Sequence, residues 1–269
     1  MNNRKIISCK KKIFKYLYTT IIIILHIFFI MFTIHRSLEY IPRKFTITKF
    51  KKYTLNTLDN KNLPIYYVDK NSQIDLIIFP GNWINKYYTE EYLTTFSELN
   101  VNVFIMQYRG FSDRDGKPSE LNIKIDTEAV YQFLKKRNNK VVIYSFSMGG
   151  CPALYLLSLF KIPPLLVLDN VLYDVYTGLT PFMRLFTFLL VDKWQNGKIL
   201  KNTEVDILFF KSEEDTNVNS EHLKKYKQIS KKAIEVVYIS DAGHFDAYRK
   251  PIFLEKIKNF IESGYGIDV

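Results

Sequence analysis

From Asp75 to Ser263 the chain alternates short apolar runs with amphipathic stretches of helical length. That alternation leaves few folds open. A helix-length connection carries the chain back to the same end of a sheet, so successive strands pair in parallel through right-handed crossovers. Strands are expected at Asp75–Phe79, Val101–Met106, in the run opening at Val141, and at Leu165–Leu168, Val205–Lys211 and Ala233–Ser240. Helices are expected at Thr89–Asn100, Ile123–Arg137, Ser220–Ile229 and Ile252–Ser263. Two further strands, Tyr53–Thr57 and Leu63–Val68, flank the turn-rich L-D-N-K-N. The pattern breaks between Asn170 and Asn202. There Phe182, Leu185, Phe186, Phe188, Leu189, Leu190 and Trp194 lack strand-like alternation, and the insert, 171–202, reads as a short helical cap.

A hydrophobic fraction of 47% in 269 residues is ample for a buried core. The net charge of +11 suggests nucleic acid until it is divided along the chain. Residues 1–52 hold 12 Lys/Arg and one acid, Glu39; the remainder holds 38−12=26 basic and 27−1=26 acidic residues. The excess is N-terminal and the body is neutral, which excludes a general polyanion-binding surface there. Within that basic segment, Tyr16–Ile34 is an apolar run of 19 residues interrupted strongly by His26 alone. About 20 such residues cross a hydrocarbon layer, and no small-residue cleavage site follows. The expected organisation is a basic cytosolic tail (1–15), a transmembrane signal anchor (16–34), a basic linker (35–52) and an α/β domain (53–269). Six basic residues precede the run and four follow closely (Arg36, Arg43, Lys44 and Lys49), which orients the domain toward the lumen of an endomembrane such as the endoplasmic reticulum. Cys9 and Cys151 are too few and too far apart for a disulfide framework or a zinc site, and no cofactor is implied.

At Val141–Gly150 an apolar β-type run, V-V-I-Y-S-F, meets S-M-G-G and then a helix-like segment. A serine at such a strand–turn–helix junction is a candidate nucleophile, provided small residues flank it where strand and helix nearly touch. Gly149 supplies one; Ser145 stands where glycine is commoner. The alternative is an ordinary strand followed by a small-residue helix start. A serine hydroxyl needs a base, and the base needs an orienting carboxylate. Of the four histidines, His26 and His35 lie in the anchor region and His222 in a polar helix, which leaves His244 in D-A-G-H-F-D. Asp215, after the strand Val205–Lys211, best fits the order Ser…Asp…His, with Asp169 the main rival. Backbone N–H donors for an oxyanion are expected from Met148 and from Asn82, with Trp83 as the alternative.

These residues resemble the membrane-anchored α/β-hydrolases of the Bem-forty-six type, along nearly the whole chain. The most specific part is Y-R-G-F-S-D-R-D-G-K-P-S-E at Tyr108–Glu120. The family's H-G-N loop is matched by Pro80-Gly81-Asn82, its elbow by Ser145–Gly149, its acid loop by Glu213–Val218 and its histidine loop by Gly243–Tyr248. The resemblance implies an α/β-hydrolase fold and a serine hydrolase acting on ester or thioester bonds of a lipid or acylated molecule. The departures are Pro80 for histidine, Ser112 and Arg114 for glycine and serine, and Ser145 for the first elbow glycine. A peptidase or aminopeptidase on the same fold, and a weakly active scaffold that binds a partner, are the competing expectations.

Overall fold

A computed structural model describes residues 3–174, 176–177, 184, 192–194 and 196–269, with the backbone alone for 3–10 and 31–39. The α/β body, Tyr40–Leu179 with Asp192–Val269, is one compact unit; the N-terminal helix α1, Asn3–Glu39, belongs to another. Within α1, Lys11–Ile30 is long and apolar enough to cross a membrane, and it is the one such helix among the described residues. At 1.5 Å per residue its 20 residues cover about 30 Å.

The body is built on an eight-stranded sheet of order β1-β2-β4-β3-β5-β6-β7-β8 among the described residues. Its strands are β1 (Lys51–Asn56), β2 (Asn62–Val68), β3 (Ile74–Phe79), β4 (Asn102–Met106), β5 (Lys140–Phe146), β6 (Leu165–Asp169), β7 (Ile207–Ser212) and β8 (Glu235–Ile239). The β1–β2 and β2–β4 pairings are antiparallel, and all later pairings are parallel. The connecting helices are α2 (Lys86–Phe96), α3 (Glu120–Arg137), α4 (Gly150–Leu159), α5 (Asn196–Asn202), α6 (Ser220–Ile229) and α7 (Pro251–Tyr265). Every residue of β3, β4 and β6 is buried, because helices cover both faces of the sheet and leave these strands no solvent side.

Local chemistry sets the helix ends. Asn85 accepts the Tyr88 N–H and starts α2 earlier than the expected Thr89. Ser119 accepts the Asn122 N–H and starts α3, and Asn138 ends it in the left-handed region at φ 56°. Pro152 is the third residue of α4, a position whose N–H has no acceptor within that helix, so proline costs little there.

The middle of the insert, including Phe182, Leu185, Phe186, Phe188, Leu189 and Leu190, lies outside the described residues; its last part is α5. The segment 40–50, expected to belong to a basic linker, packs into the body instead. Tyr40 and Ile47 are buried, the Tyr40 hydroxyl accepts from Trp194 Nε1 at 3.0 Å, and the Arg43 carbonyl accepts the Ser112 N–H at 2.8 Å. These partners lie 69 or more residues away in sequence, so no local pattern announces them.

Candidate active site

The chain runs from β3 to β4 on one side and then crosses back so that β5 pairs on the other side of β3. The loops leaving the carboxyl ends of β3 and β5 therefore diverge, and the crevice between them is where open α/β sheets bind ligands. Ser147 leaves β5 and Pro80-Gly81-Asn82 leaves β3.

The turn at Ser147 is tight. Ser147 has φ 53°, a left-handed conformation that is costly for a residue with a side chain and is kept only where its surroundings enforce it. It opens a 3₁₀ turn, Ser147–Gly149, that runs directly into α4. A Cβ on Gly149 would lie 2.0 Å from the Phe79 carbonyl oxygen, so glycine is obligatory there. Ser145 is no obstacle: it is buried within β5, and its Oγ lies 3.5 Å from the Val167 carbonyl oxygen.

The structure brings three of the expected residues into one hydrogen-bonded chain. His244 Nε2 lies 3.0 Å from Ser147 Oγ, and His244 Nδ1 lies 2.8 Å from Asp215 Oδ2. With Nδ1–H donating to the carboxylate, Nε2 carries the free lone pair and accepts from the serine hydroxyl. The other Asp215 oxygen accepts the N–H groups of Asn217 and Val218, at 2.8 and 2.9 Å. Burial works to raise the Asp215 carboxyl. The bonds from His244 and Val218 and the charge of Lys211 outweigh it, and the net direction is downward. The rings of Phe146 and Phe245 pack on His244, each with centroids 4.8 Å away.

Asp169 does not reach the histidine. It is buried, accepts from the Tyr144 hydroxyl at 2.7 Å and from Asn170 Nδ2 at 3.0 Å, and burial pushes its carboxyl up to about 7. Asp246 accepts the Gly243 N–H within the histidine loop. His222 is buried as well: its Nδ1 accepts the Tyr173 N–H at 2.9 Å, and burial lowers its pKa to about 4.

The β3 loop passes close to the serine. A Cβ on Gly81 would come within 2.7 Å of the Phe146 ring and 3.3 Å of Ser147 Cβ. The loop is pinned twice: the buried Tyr108 hydroxyl donates to the Pro80 carbonyl at 2.7 Å, and Asn82 Oδ1 accepts the Ile41 N–H at 2.9 Å. Proline at 80 is thus braced from Tyr108, the first residue of the Tyr108–Glu120 signature. Met148, next to Ser147, is buried in the 3₁₀ turn, and Trp83 lines the cleft.

The rest of that signature is a buried framework. Asp126 of α3 is fully buried and takes both Arg109 and Arg114, while Arg109 also grips Asp59. Ser112, at φ 54° where glycine would be free of strain, is held by its Oγ bond to the Phe45 carbonyl at 2.9 Å. Glu120 accepts the N–H groups of Lys193 and Trp194, and its own N–H donates to Asp192.

Sequence reasoning missed Tyr108 as the loop brace, Asp126 as the shared acid, and Lys211. Lys211 follows the apolar run Ile207–Phe210 within β7, which was a usable signal. It is buried, lies 3.8 Å from Asp215 Oδ2, donates to the Val218 carbonyl, and is lowered by burial. Among the described residues no three of His, Cys, Asp and Glu are grouped so as to hold a metal ion.

Solved structures share this architecture. An esterase from Pyrococcus furiosus superposes with a TM-score of 0.65 over 82% of this chain and 96% of its own, at 18% identity. A serine hydrolase from Xanthomonas campestris, described as having no lid, gives 0.60 over 84% and 99%, at 15% identity. The chain has the α/β-hydrolase fold. Its homologues include the Saccharomyces cerevisiae membrane protein YNL320W, 26% identical over 230 residues that make up 80% of this chain and 81% of that protein. Alpha/beta hydrolase domain-containing protein 17C is 24% identical over 174 residues in human and mouse, which is 63% of this hydrolase-fold chain. The chain spans about half the length of those two relatives, 52% of the human protein and 53% of the mouse one. No family model matches the chain.

Proposed function

We propose that this chain is a membrane-anchored serine hydrolase that cleaves carboxylic ester or thioester bonds, of lipids or other acylated molecules, through an acyl-enzyme. The observation that carries the reading is the continuous Ser147–His244–Asp215 hydrogen-bonded chain at the carboxyl end of the sheet. The hydrolase fold of its homologues and structural neighbours supports the reaction class.

Ser147 Oγ attacks the acyl carbon while His244 Nε2 takes its proton, and Asp215 stabilises the imidazolium so formed. The tetrahedral oxyanion is received by the backbone N–H of Met148, at the positive end of the turn leading into α4, and by that of Asn82 in the braced loop. His244 then returns the proton to the departing alkoxide or thiolate. Water repeats the sequence on the acyl-enzyme, giving a carboxylic acid and regenerating Ser147. The bracing of Pro80 by Tyr108 favours an active enzyme over a scaffold.

Fluorophosphonate labelling of the full-length, detergent-solubilised protein tests the assignment. Labelling of the native chain that is lost in Ser147→Ala is expected; a native chain that does not label overturns it. In this reading the apolar stretch Lys11–Ile30 of α1 is the anchor, and the basic residues flanking it support a body on the lumenal side of the endoplasmic reticulum or a related membrane. Protease protection of the body in sealed microsomes tests that orientation, and digestion of the body there refutes it.

A further inference from the structure

The cleft that opens onto Ser147 has a volume of about 480 Å³, within the range of small-ligand sites. Its charge is one-sided. Arg43 lines it together with Trp83, Asn85, Leu172 and Phe245, and no carboxylate lines it among the described residues. Asp215 lies behind His244, with its oxygens engaged by His244, Asn217 and Val218. Helix α2 starts at the cleft wall from Asn85, so the positive end of its dipole adds to the same sign.

Arg43 differs from the other arginines of the body. Arg109, Arg114, Arg137 and Arg249 each grip a carboxylate. Arg43 pairs with no acid among the described residues; its guanidinium lies over the Trp83 ring, 4.6 Å from the centroid. Stacking fixes the plane of a guanidinium while leaving its edge donors free to grip an oxyanion in a fork. The backbone beneath is equally fixed, since the Arg43 carbonyl takes the Ser112 N–H and Lys44 Nζ donates to the Arg114 carbonyl, both at 2.8 Å. The result is an exposed, ring-stacked cation that lines the same cleft as Ser147 and whose guanidinium makes no hydrogen bond among the described residues.

We infer that Arg43 makes the Ser147 cleft selective for anionic acyl compounds, esters or thioesters that carry a carboxylate or phosphate a few atoms from the scissile bond. This rests on the hydrolase reading of Ser147. A space of 480 Å³ is on the order of 8 Å across, which suits a spacer of about three to five carbons between acyl carbon and anion. The bound anion gains a fork of charge-assisted hydrogen bonds from an exposed guanidinium, and a neutral ester of the same shape leaves that guanidinium to water.

The test uses the full-length protein in detergent and two matched ester pairs. Mono-p-nitrophenyl glutarate against p-nitrophenyl valerate puts the charge on the acyl side; p-butyryloxybenzoate against phenyl butyrate puts it on the leaving group. In at least one pair the native chain is expected to favour the anionic member in kcat/KM. Arg43→Gln is expected to lower the anionic-to-neutral ratio roughly 2- to 5-fold, the range for one solvent-exposed charge pair. Arg43→Lys restores part of the ratio, because it keeps the charge and loses the fork and the stack. Raising salt erodes the ratio of the native chain more than that of Arg43→Gln. Turnover with ratios that are the same in native and Arg43→Gln chains, in both pairs, overturns the anion site and leaves the hydrolase standing. No turnover of any of the four esters, together with no fluorophosphonate labelling of Ser147, overturns both.

Discussion

Tyr108→Phe isolates the brace under the β3 loop. The change removes one oxygen and leaves the buried ring in place. The hydroxyl donates to the Pro80 carbonyl at 2.7 Å, and Tyr108 is inaccessible to solvent, so no water replaces the lost donor. A buried carbonyl left unpaired costs about 1–3 kcal/mol. In a domain of this size each kcal/mol moves the melting temperature by about 2–4 °C, so a fall of roughly 3–10 °C is expected. The loop also holds the proposed Asn82 donor. If about 1–2 kcal/mol of the loss falls on loop placement in the transition state, kcat/KM drops about 5- to 30-fold, short of the hundred- to thousandfold cost of deleting a donor outright. Tyr265→Phe is the matched control. Its hydroxyl bonds the Val141 carbonyl and accepts the Leu165 N–H at the opposite ends of β5 and β6. Thermal unfolding and ester kinetics of the two variants, side by side, separate stability from placement. Tyr265→Phe is expected to lose stability at unchanged kcat/KM, and Tyr108→Phe to lose both. A Tyr108→Phe chain that melts early yet keeps native kcat/KM refutes the claim that this bond positions the loop.

Other perturbations follow from the same geometry. Asp126→Asn leaves Arg109 and Arg114 buried without their shared acid, and chemical denaturation is expected to show a loss of about 3–5 kcal/mol. Gly149→Ala drives a Cβ against the Phe79 carbonyl, a backbone conflict no rotamer relieves; a cost above about 4 kcal/mol, or failure to accumulate folded protein, is expected. His222 must be neutral to accept the Tyr173 N–H, and its pKa falls to about 4 from an unfolded value near 6.5. Its contribution is therefore full above pH 6.5 and is lost as pH falls through 4, up to about 3 kcal/mol. Asp169, raised to about 7, gives a slope of the opposite sign over the same range. The measurement is thus the difference in unfolding temperature between the native chain and His222→Gln, which is expected to shrink on acidification; a difference independent of pH refutes the assignment.

The parts of the site visible in the sequence are those fixed by chain order and strand ends. Ser147, Asp215 and His244 each follow an apolar run, and a parallel sheet delivers the ends of such runs to one edge. Helix α6 occupies the expected Ser220–Ile229, because its amphipathic pattern and Asn219 cap are local. What stayed hidden depends on contacts distant in sequence. The Tyr108–Pro80 bond spans 28 residues and the Asn82–Ile41 bond 41, and neither leaves a periodic trace. The signature Tyr108–Glu120 was legible as a signature but not as a framework, since Asp126, its shared acid, lies beyond its end.

Glu120 gives the insert a fixed exit. Its carboxylate takes the Lys193 and Trp194 N–H groups as the chain returns to the body, while His222 and Tyr226 hold Tyr173 and Leu172 at the departure. Both ends of the excursion are thus fastened to helices that carry no reacting group. Extending the intervening segment adds only a slowly growing closure entropy to such a clasp. An insert of different length or composition can therefore be carried between these two fastenings, as one exchanges the head of a tool, while the Ser147–His244–Asp215 hydrogen-bonded chain keeps its alignment.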